Sequence, residues 1–234
     1  MELMFKVIAL LPWLDWVAVA LFFVGWGSYA YYSRYGAGSK RSVLAATNAV
    51  RRMWMLQTTY REVRVVDGVV IQNLSTSPSF FASTTILIIG GLLAVLAGDK
   101  ANELVRELPF AQRTSVLIFD LKLILLLGIF VYAFFRFTWS MRQYTFGALL
   151  VAAAPEAKRF DEEQLSRDEF ANKAGRVVGL AAETFNDGLR GYYFAIAAIG
   201  WFFSPLIFMA ATLGVIYILY QREYRSEVLS VLTS

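Results

Sequence analysis

Residues 116–135 read VLIFDLKLILLLGIFVYAFF, an apolar stretch in which Asp120 and Lys122 are the only acidic and basic residues. A helix needs about 20 such residues to cross roughly 30 Å of hydrocarbon. Three further stretches have this character, at about 13–32, 80–97 and 192–220. The sequence therefore predicts an all-α fold, a four-span transmembrane helical bundle with two amphipathic cytoplasmic helices.

The distribution of basic residues predicts the sidedness of the spans. Seven Lys and Arg residues lie between the first two stretches and eight between the last two, whereas the middle connection has three. Because cytoplasmic loops carry an excess of Lys and Arg, we predict that loops 36–79 and 140–190 are cytoplasmic. Both termini are then outside, which Lys6, Arg222 and Arg225 weakly oppose. A bacterial inner membrane fits this arrangement.

Composition excludes several classes of chemistry. The chain has no Cys and no His, which removes disulfides, thiolate nucleophiles and imidazole ligands. We predict no catalytic residue, cofactor or metal site, and a single integral membrane domain over residues 1–234. The net charge is +4, and the excess of bases in the first loop favours contact with anionic lipids over nucleic acid.

Three ionisable residues are candidates for an intramembrane polar cluster: Asp15, Asp120 and Lys122. Charges inside a bilayer are costly unless they are paired, hydrated or able to reach the interface. Asp15 and Lys122 are predicted at a similar level on different spans, so a structural clamp between helices is one interpretation. An ion or proton pathway is the other.

The first loop predicts an amphipathic helix from Ser39 to about Val70, before Ser79 caps the second span. Its basic side chains are candidates for lipid head-group contacts, although a soluble partner would explain them equally. These candidates are Arg41, Arg51, Arg52 and Arg61.

Small residues in the second span predict a helix-packing face. Gly90, Ala94 and Gly98 are spaced by four, so they lie on one side of a helix and permit close approach. The face packs either within one bundle, which is the simpler interpretation, or between copies.

The second loop and last span show three further patterns. Ser166 and Glu169 have the spacing of a helix capping box, and residues 186–188 (Asn-Asp-Gly) resemble a joint before the last span. The 29 apolar residues of that span must tilt, kink at Pro205 or protrude, and we do not expect two spans there.

The chain resembles the uncharacterised membrane-protein family called domain of unknown function 599. The matching stretches are RRMWM (51–55), SFFASTT (79–85), LKL (121–123), YAFFRFTWS (132–140) and FNDGLRGYYF (185–194). The resemblance implies a membrane protein, but it implies no activity and no site residues.

These patterns together favour a non-enzymatic membrane protein. We expect it to act through self-association, as a homo-oligomer, or by holding a partner complex or lipid. The alternative is a small oligomeric channel or carrier in which Asp120, Lys122 and the hydroxyls of residues 83–85 surround a shared pathway. An enzyme acting on lipid is less favoured, because no acid–base pair is evident.

Overall fold

The computed structural model describes residues 11–35, 42–98, 116–162 and 166–233, and these ranges contain helices and no strand. Four helices are long and apolar enough to cross a membrane, which confirms the predicted all-α class and membrane character to that extent. The helices are α1 (Trp13–Tyr35), α2 (Val43–Thr58), α3 (Val65–Ala97), α4 (Val116–Ala152), α5 (Ala157–Asp161), α6 (Arg167–Ile199), α7 (Pro205–Tyr224) and α8 (Glu227–Thr233), with a 3-10 turn at Gly200–Phe202.

The chain divides into two compact units. Unit 1 comprises Met1–Ser39, Thr85–Tyr132 and Leu189–Gln221, and unit 2 comprises Lys40–Thr84, Ala133–Gly188 and Arg222–Ser234. Four divisions fall inside α3, α4, α6 and α7, so each of these continuous helices contributes residues to both units. The predicted single membrane domain stays a prediction.

In unit 1, α6 runs antiparallel to α1. The Arg190 guanidinium donates to Ser33 Oγ near the C-terminal end of α1, at 2.9 Å. Further along α6, the Phe194 ring meets Phe22 in the middle of α1, with centroids 5.6 Å apart. The series ends where Trp201 Nε1 donates to Asp15 Oδ1 near the start of α1, at 2.6 Å.

The next helix, α7, returns in the opposite direction. Phe208 lies 5.1 Å from Phe22 between ring centroids, and Ile216 Cδ1 lies 2.8 Å from where a Cβ on Gly25 would be. Since α7 is parallel to α1 and α6 is antiparallel to it, the chain reverses between Gly200 and Ser204. The predicted single span over 192–220 is therefore corrected to two antiparallel helices.

Local signals explain the reversal. Ser204 Oγ accepts a hydrogen bond from the Ile207 N–H at 3.1 Å, which is N-cap geometry, and Pro205 occupies the first helical position. A Cβ on Gly200 would lie 3.1 Å from Ile207 Cγ2 and 3.4 Å from the Ile207 backbone. Glycine thus allows the first turn of α7 to fold back tightly.

The break between α2 and α3 lies earlier than the sequence predicts. Ser42 caps α2, which ends at Thr58 rather than near Val70, and α3 begins at Val65 and passes through Pro78. In the first turn of α3 the fully buried Asp67 accepts from Trp54 Nε1 at 2.7 Å, and it pairs with Arg61. These contacts, together with the favourable acid at a helix N-terminus, fix the start of α3.

The capping prediction at Ser166 is confirmed, because Ser166 Oγ accepts from the Glu169 N–H at 3.2 Å. The predicted joint at residues 186–188 is wrong, since α6 continues through it. Gly188 serves packing instead: Phe137 Cε1 lies 2.5 Å from the position that a Cβ there would take.

In unit 2, glycines bring α6 against α2. A Cβ on Gly175 would lie 2.9 Å from Arg52 Cα, and one on Gly179 would lie 2.9 Å from Asn48 Oδ1. The C-terminal helix α8 also packs on α2, and the Leu44 N–H donates to Glu223 Oε1 at 3.1 Å. The C-terminus therefore lies beside the helix of the first loop.

Candidate functional site

Two of the three predicted intramembrane charges meet on one tryptophan in unit 1. Lys122 Nζ donates to the Trp201 backbone carbonyl at 2.8 Å, and the indole Nε1–H of Trp201 donates to Asp15 Oδ1. Lys122 is 2% exposed, and Asp15 and Trp201 are each 3% exposed. We call these three residues the turn clamp, because Trp201 lies in the reversal between α6 and α7.

The contacts of the turn clamp suit a structural role. The Trp201 carbonyl lies just beyond the C-terminus of α6, where carbonyls lack intrahelical donors and a cation is favourable. Lys122 Nζ also lies 5.5 Å from the centroid of the Trp201 ring, within cation–π range. Since all three side chains are almost inaccessible and hydrogen-bonded, the geometry favours a clamp over a pathway.

The structure does not bring Asp120 into the turn clamp. Residues two apart on a helix point to different sides, so the Asp120 and Lys122 side chains project from opposite faces of α4. Asp120 Oδ1 is buried, and no donor within residues 11–35, 42–98, 116–162 and 166–233 reaches it. Among the hydroxyls of residues 83–85, Thr85 is fully buried and hydrogen-bonds the Tyr192 hydroxyl at 2.7 Å.

The candidate lipid-contact arginines already have protein partners. Arg51 donates to Asn48 Oδ1 at 2.8 Å, and Arg52 forms an ion pair with Asp168 at 2.7 Å, while Arg61 pairs with Asp67. Burial lowers the pKa of the Arg51 guanidinium, and Tyr144 and Glu183 oppose that shift. Arg41 lies outside the described residues. Their contact with lipid head groups stays a prediction.

Two arginines that the sequence interpretation did not single out join the loops of unit 2. Arg64 donates to the carbonyls of Thr58, Ala154 and Pro155, at 3.1, 2.6 and 2.5 Å. Arg167 donates to the Thr59 carbonyl at 2.6 Å and stacks on the Tyr60 ring. Both thereby satisfy carbonyls beyond helix C-termini, a role that depends on tertiary contacts and has no local sequence signature.

The predicted packing face on α3 is open in the described structure. Apart from the backbone of α3 itself, no atom of the described residues lies within 4 Å of a Cβ placed on Gly90 or on its neighbour Gly91, and Ala94 is exposed. A Cβ on Gly98 would meet only the Ala94 carbonyl of its own helix, at 3.2 Å. The face therefore packs against no other described helix at these positions.

Metal chemistry finds no support in the described ranges, where no three Asp or Glu residues are placed to hold an ion. A family model described as a protein of unknown function, DUF599, matches residues 17–228. No curated protein and no solved structure matches the chain.

Proposed function

The chain belongs to the DUF599 family of proteins of unknown function, and from this premise we propose that it is a non-catalytic membrane protein that acts by associating with further copies of itself. One observation carries the proposal: the part of α3 in unit 1 presents an open face of small residues. Gly90 and Gly91 have free space around them, and Leu87 beside them is 75% exposed.

The chemistry of this face suits a second copy in a bilayer. Lipid tails are as apolar as leucine, so apolar exposure alone does not drive helix association there. Small residues do favour it, because they let two backbones approach closely and gain van der Waals contact. Residues 85–97 contain no ionisable side chain, so two copies meet without like-charge repulsion.

We expect Gly90→Leu to weaken self-association by about tenfold or more, because the added side chain prevents close approach of the backbones. Native mass spectrometry of the protein in nanodiscs, over a range of protein-to-disc ratios, measures the copy number. Gly214→Leu is the matched control, since a Cβ on Gly214 likewise meets no described atom within 4 Å outside its own helix backbone, but Gly214 lies on α7. A monomeric wild type, or a Gly90→Leu variant with unchanged copy number, would contradict the proposal.

We propose in addition that the chain crosses the membrane five times. The contacts of α6 extend from Ser33 to Asp15, across the length of α1, and α7 returns in the opposite direction past Phe22 and Gly25. Both arms of the hairpin are then crossings, and the C-terminus lies on the side of the first loop. Arg222 and Arg225 then lie on the cytoplasmic side, in agreement with the positive-inside bias, whereas a four-span topology places them outside.

With five crossings the two termini lie on opposite sides of the membrane, and we propose this sidedness in place of the predicted two external termini. The N-terminus is outside, while α2, α8 and the first part of α6 are in the cytoplasm with most of the basic residues. An anionic inner leaflet of a bacterial plasma membrane is the surface that such a distribution suits. The charge distribution and the packing of α8 on α2 support this assignment.

A further inference from the structure

An apolar groove of about 500 Å³ lies between α1 and α4 in unit 1. Its walls include Phe23 on α1 and Ile124 on α4, and the Trp26 and Tyr132 rings meet across it with centroids 5.4 Å apart. Ligand pockets have volumes of about 300–1,000 Å³, so this groove is large enough for one flexible chain.

Two glycines create this space. Gly27 on α1 and Gly128 on α4 both line the groove, and in the described part of the chain no atom outside their own helix backbones lies within 4 Å of a Cβ on either. Larger side chains at these positions would project into the groove without meeting the described structure. The two sites therefore allow the groove to be filled by mutation while the fold is kept.

A carboxylate lies one helical turn beyond the groove. Asp120 precedes Ile124, Gly128 and Tyr132 at intervals of four, so all four occupy one side of α4, and successive members are separated by about 6 Å. The Asp120 residue is partly exposed, yet its buried Oδ1 has no donor among the residues that the structure describes. An unpaired carboxylate within a membrane-crossing helix is costly, and a cation beside it removes that cost.

We propose that the groove binds one acyl chain of a phospholipid whose head group carries a primary ammonium, which pairs with Asp120. Charge complementarity selects this occupant, because an ammonium supplies both a positive charge and N–H donors. A choline head group has the charge without the donors, and a glycerol head group leaves the lipid anionic. This inference concerns a different surface from the self-association face on α3 and does not depend on it.

The test is native mass spectrometry of the full chain from nanodiscs containing equal amounts of phosphatidylethanolamine and phosphatidylglycerol. We expect wild type to retain phosphatidylethanolamine with a preference of about tenfold, the ratio expected of one charge-assisted hydrogen bond. Asp120→Asn should abolish the preference but still retain lipid. Gly128→Leu should lose the bound lipid, whereas Gly214→Leu, the same change at an open position outside the groove, should retain it.

Three results would overturn the proposal. They are an unchanged preference in Asp120→Asn, unchanged lipid retention in Gly128→Leu, and a wild-type preference for phosphatidylglycerol. A thermal unfolding curve for each variant shows that lost lipid is not lost fold. The copy number in the same spectra reports self-association separately, so either proposal can fail alone.

Discussion

Replacing Lys122 by methionine is expected to lower the free energy of unfolding by about 3 kcal/mol, the scale for breaking a buried charged interaction by removing one partner. The variant leaves the Trp201 carbonyl without its donor, and it leaves the Asp15 carboxylate buried with no cation near the same tryptophan. Unfolding in detergent by heat or by increasing sodium dodecyl sulfate measures the change.

Lys173→Met is the matched control for the turn clamp, because Lys173 is exposed on α6 and surface substitutions usually cost within about 0.5 kcal/mol. The double variant Lys122→Met with Asp15→Asn should lose less free energy of unfolding than the two single variants lose in total, because both residues act through Trp201. A Lys122→Met protein as stable as wild type but without a measurable ion or solute flux would instead favour the pathway interpretation.

Gly175→Ala is expected to destabilise unit 2 by about 1–3 kcal/mol, the usual cost of overpacking. The new methyl group would lie 2.9 Å from Arg52 Cα. Because the obstacle is backbone, α2 itself must move, and the Arg52 pairing with Asp168 moves with it. Thermal unfolding, with protease sensitivity of the first loop as a second reading, measures the effect.

Gly68→Ala makes the same chemical change inside α3, where the added Cβ meets no atom of the described ranges within 4 Å apart from the backbone of its own helix. Its expected effect is a gain of up to about 1 kcal/mol, since alanine favours a helix over glycine. Equal stability losses in Gly175→Ala and Gly68→Ala would mean that close packing of α2 and α6 is not what Gly175 provides.

Local patterns in the sequence were sufficient for several elements. The first helix was predicted at 13–32 and extends over Trp13–Tyr35, and the Ser166 cap sits at the predicted residue. Hydrophobic length and a side-chain cap are properties of neighbouring residues, so a single sequence contains them. The same reasoning located three of the four helices that are long and apolar enough to cross a membrane, whereas the fourth, Pro205–Thr233, overlaps only part of the predicted stretch 192–220.

Serine–proline pairs show where local patterns were insufficient. Ser77-Pro78 lies inside α3, as does Ser79, which was predicted to cap the second span. Ser204-Pro205 begins α7, whereas a kink at Pro205 was one of three alternatives predicted for the last span. The two pairs look alike locally, and tertiary contacts separate them. Gly200 and the turn clamp stabilise the chain reversal at Ser204-Pro205. Asp67 and Arg61 instead stabilise the start of α3 at Val65, 13 residues before Pro78.

The candidate site was predicted in part. Asp15 and Lys122 were placed at one level, yet the residue that joins them, Trp201, belongs to a turn that the uninterrupted apolar run concealed. For close packing, spacing by four singled out Gly90, whereas Gly175 and Gly179 have the same spacing and do pack. Spacing identifies a helix face, but only the fold determines what covers it.

Labelling of single cysteines tests the reversal of the chain most directly, and the natural sequence has no cysteine to interfere. The account predicts that an impermeant maleimide applied to intact cells labels Phe203→Cys, at the exposed turn between α6 and α7. Tyr60→Cys and Ser230→Cys, in exposed positions of the first loop and the C-terminal helix, should react only after permeabilisation. If intact cells showed labelling of Ser230→Cys but not of Tyr60→Cys, the C-terminal helix would lie on the opposite side of the membrane from the first loop. That result would contradict the five-crossing topology.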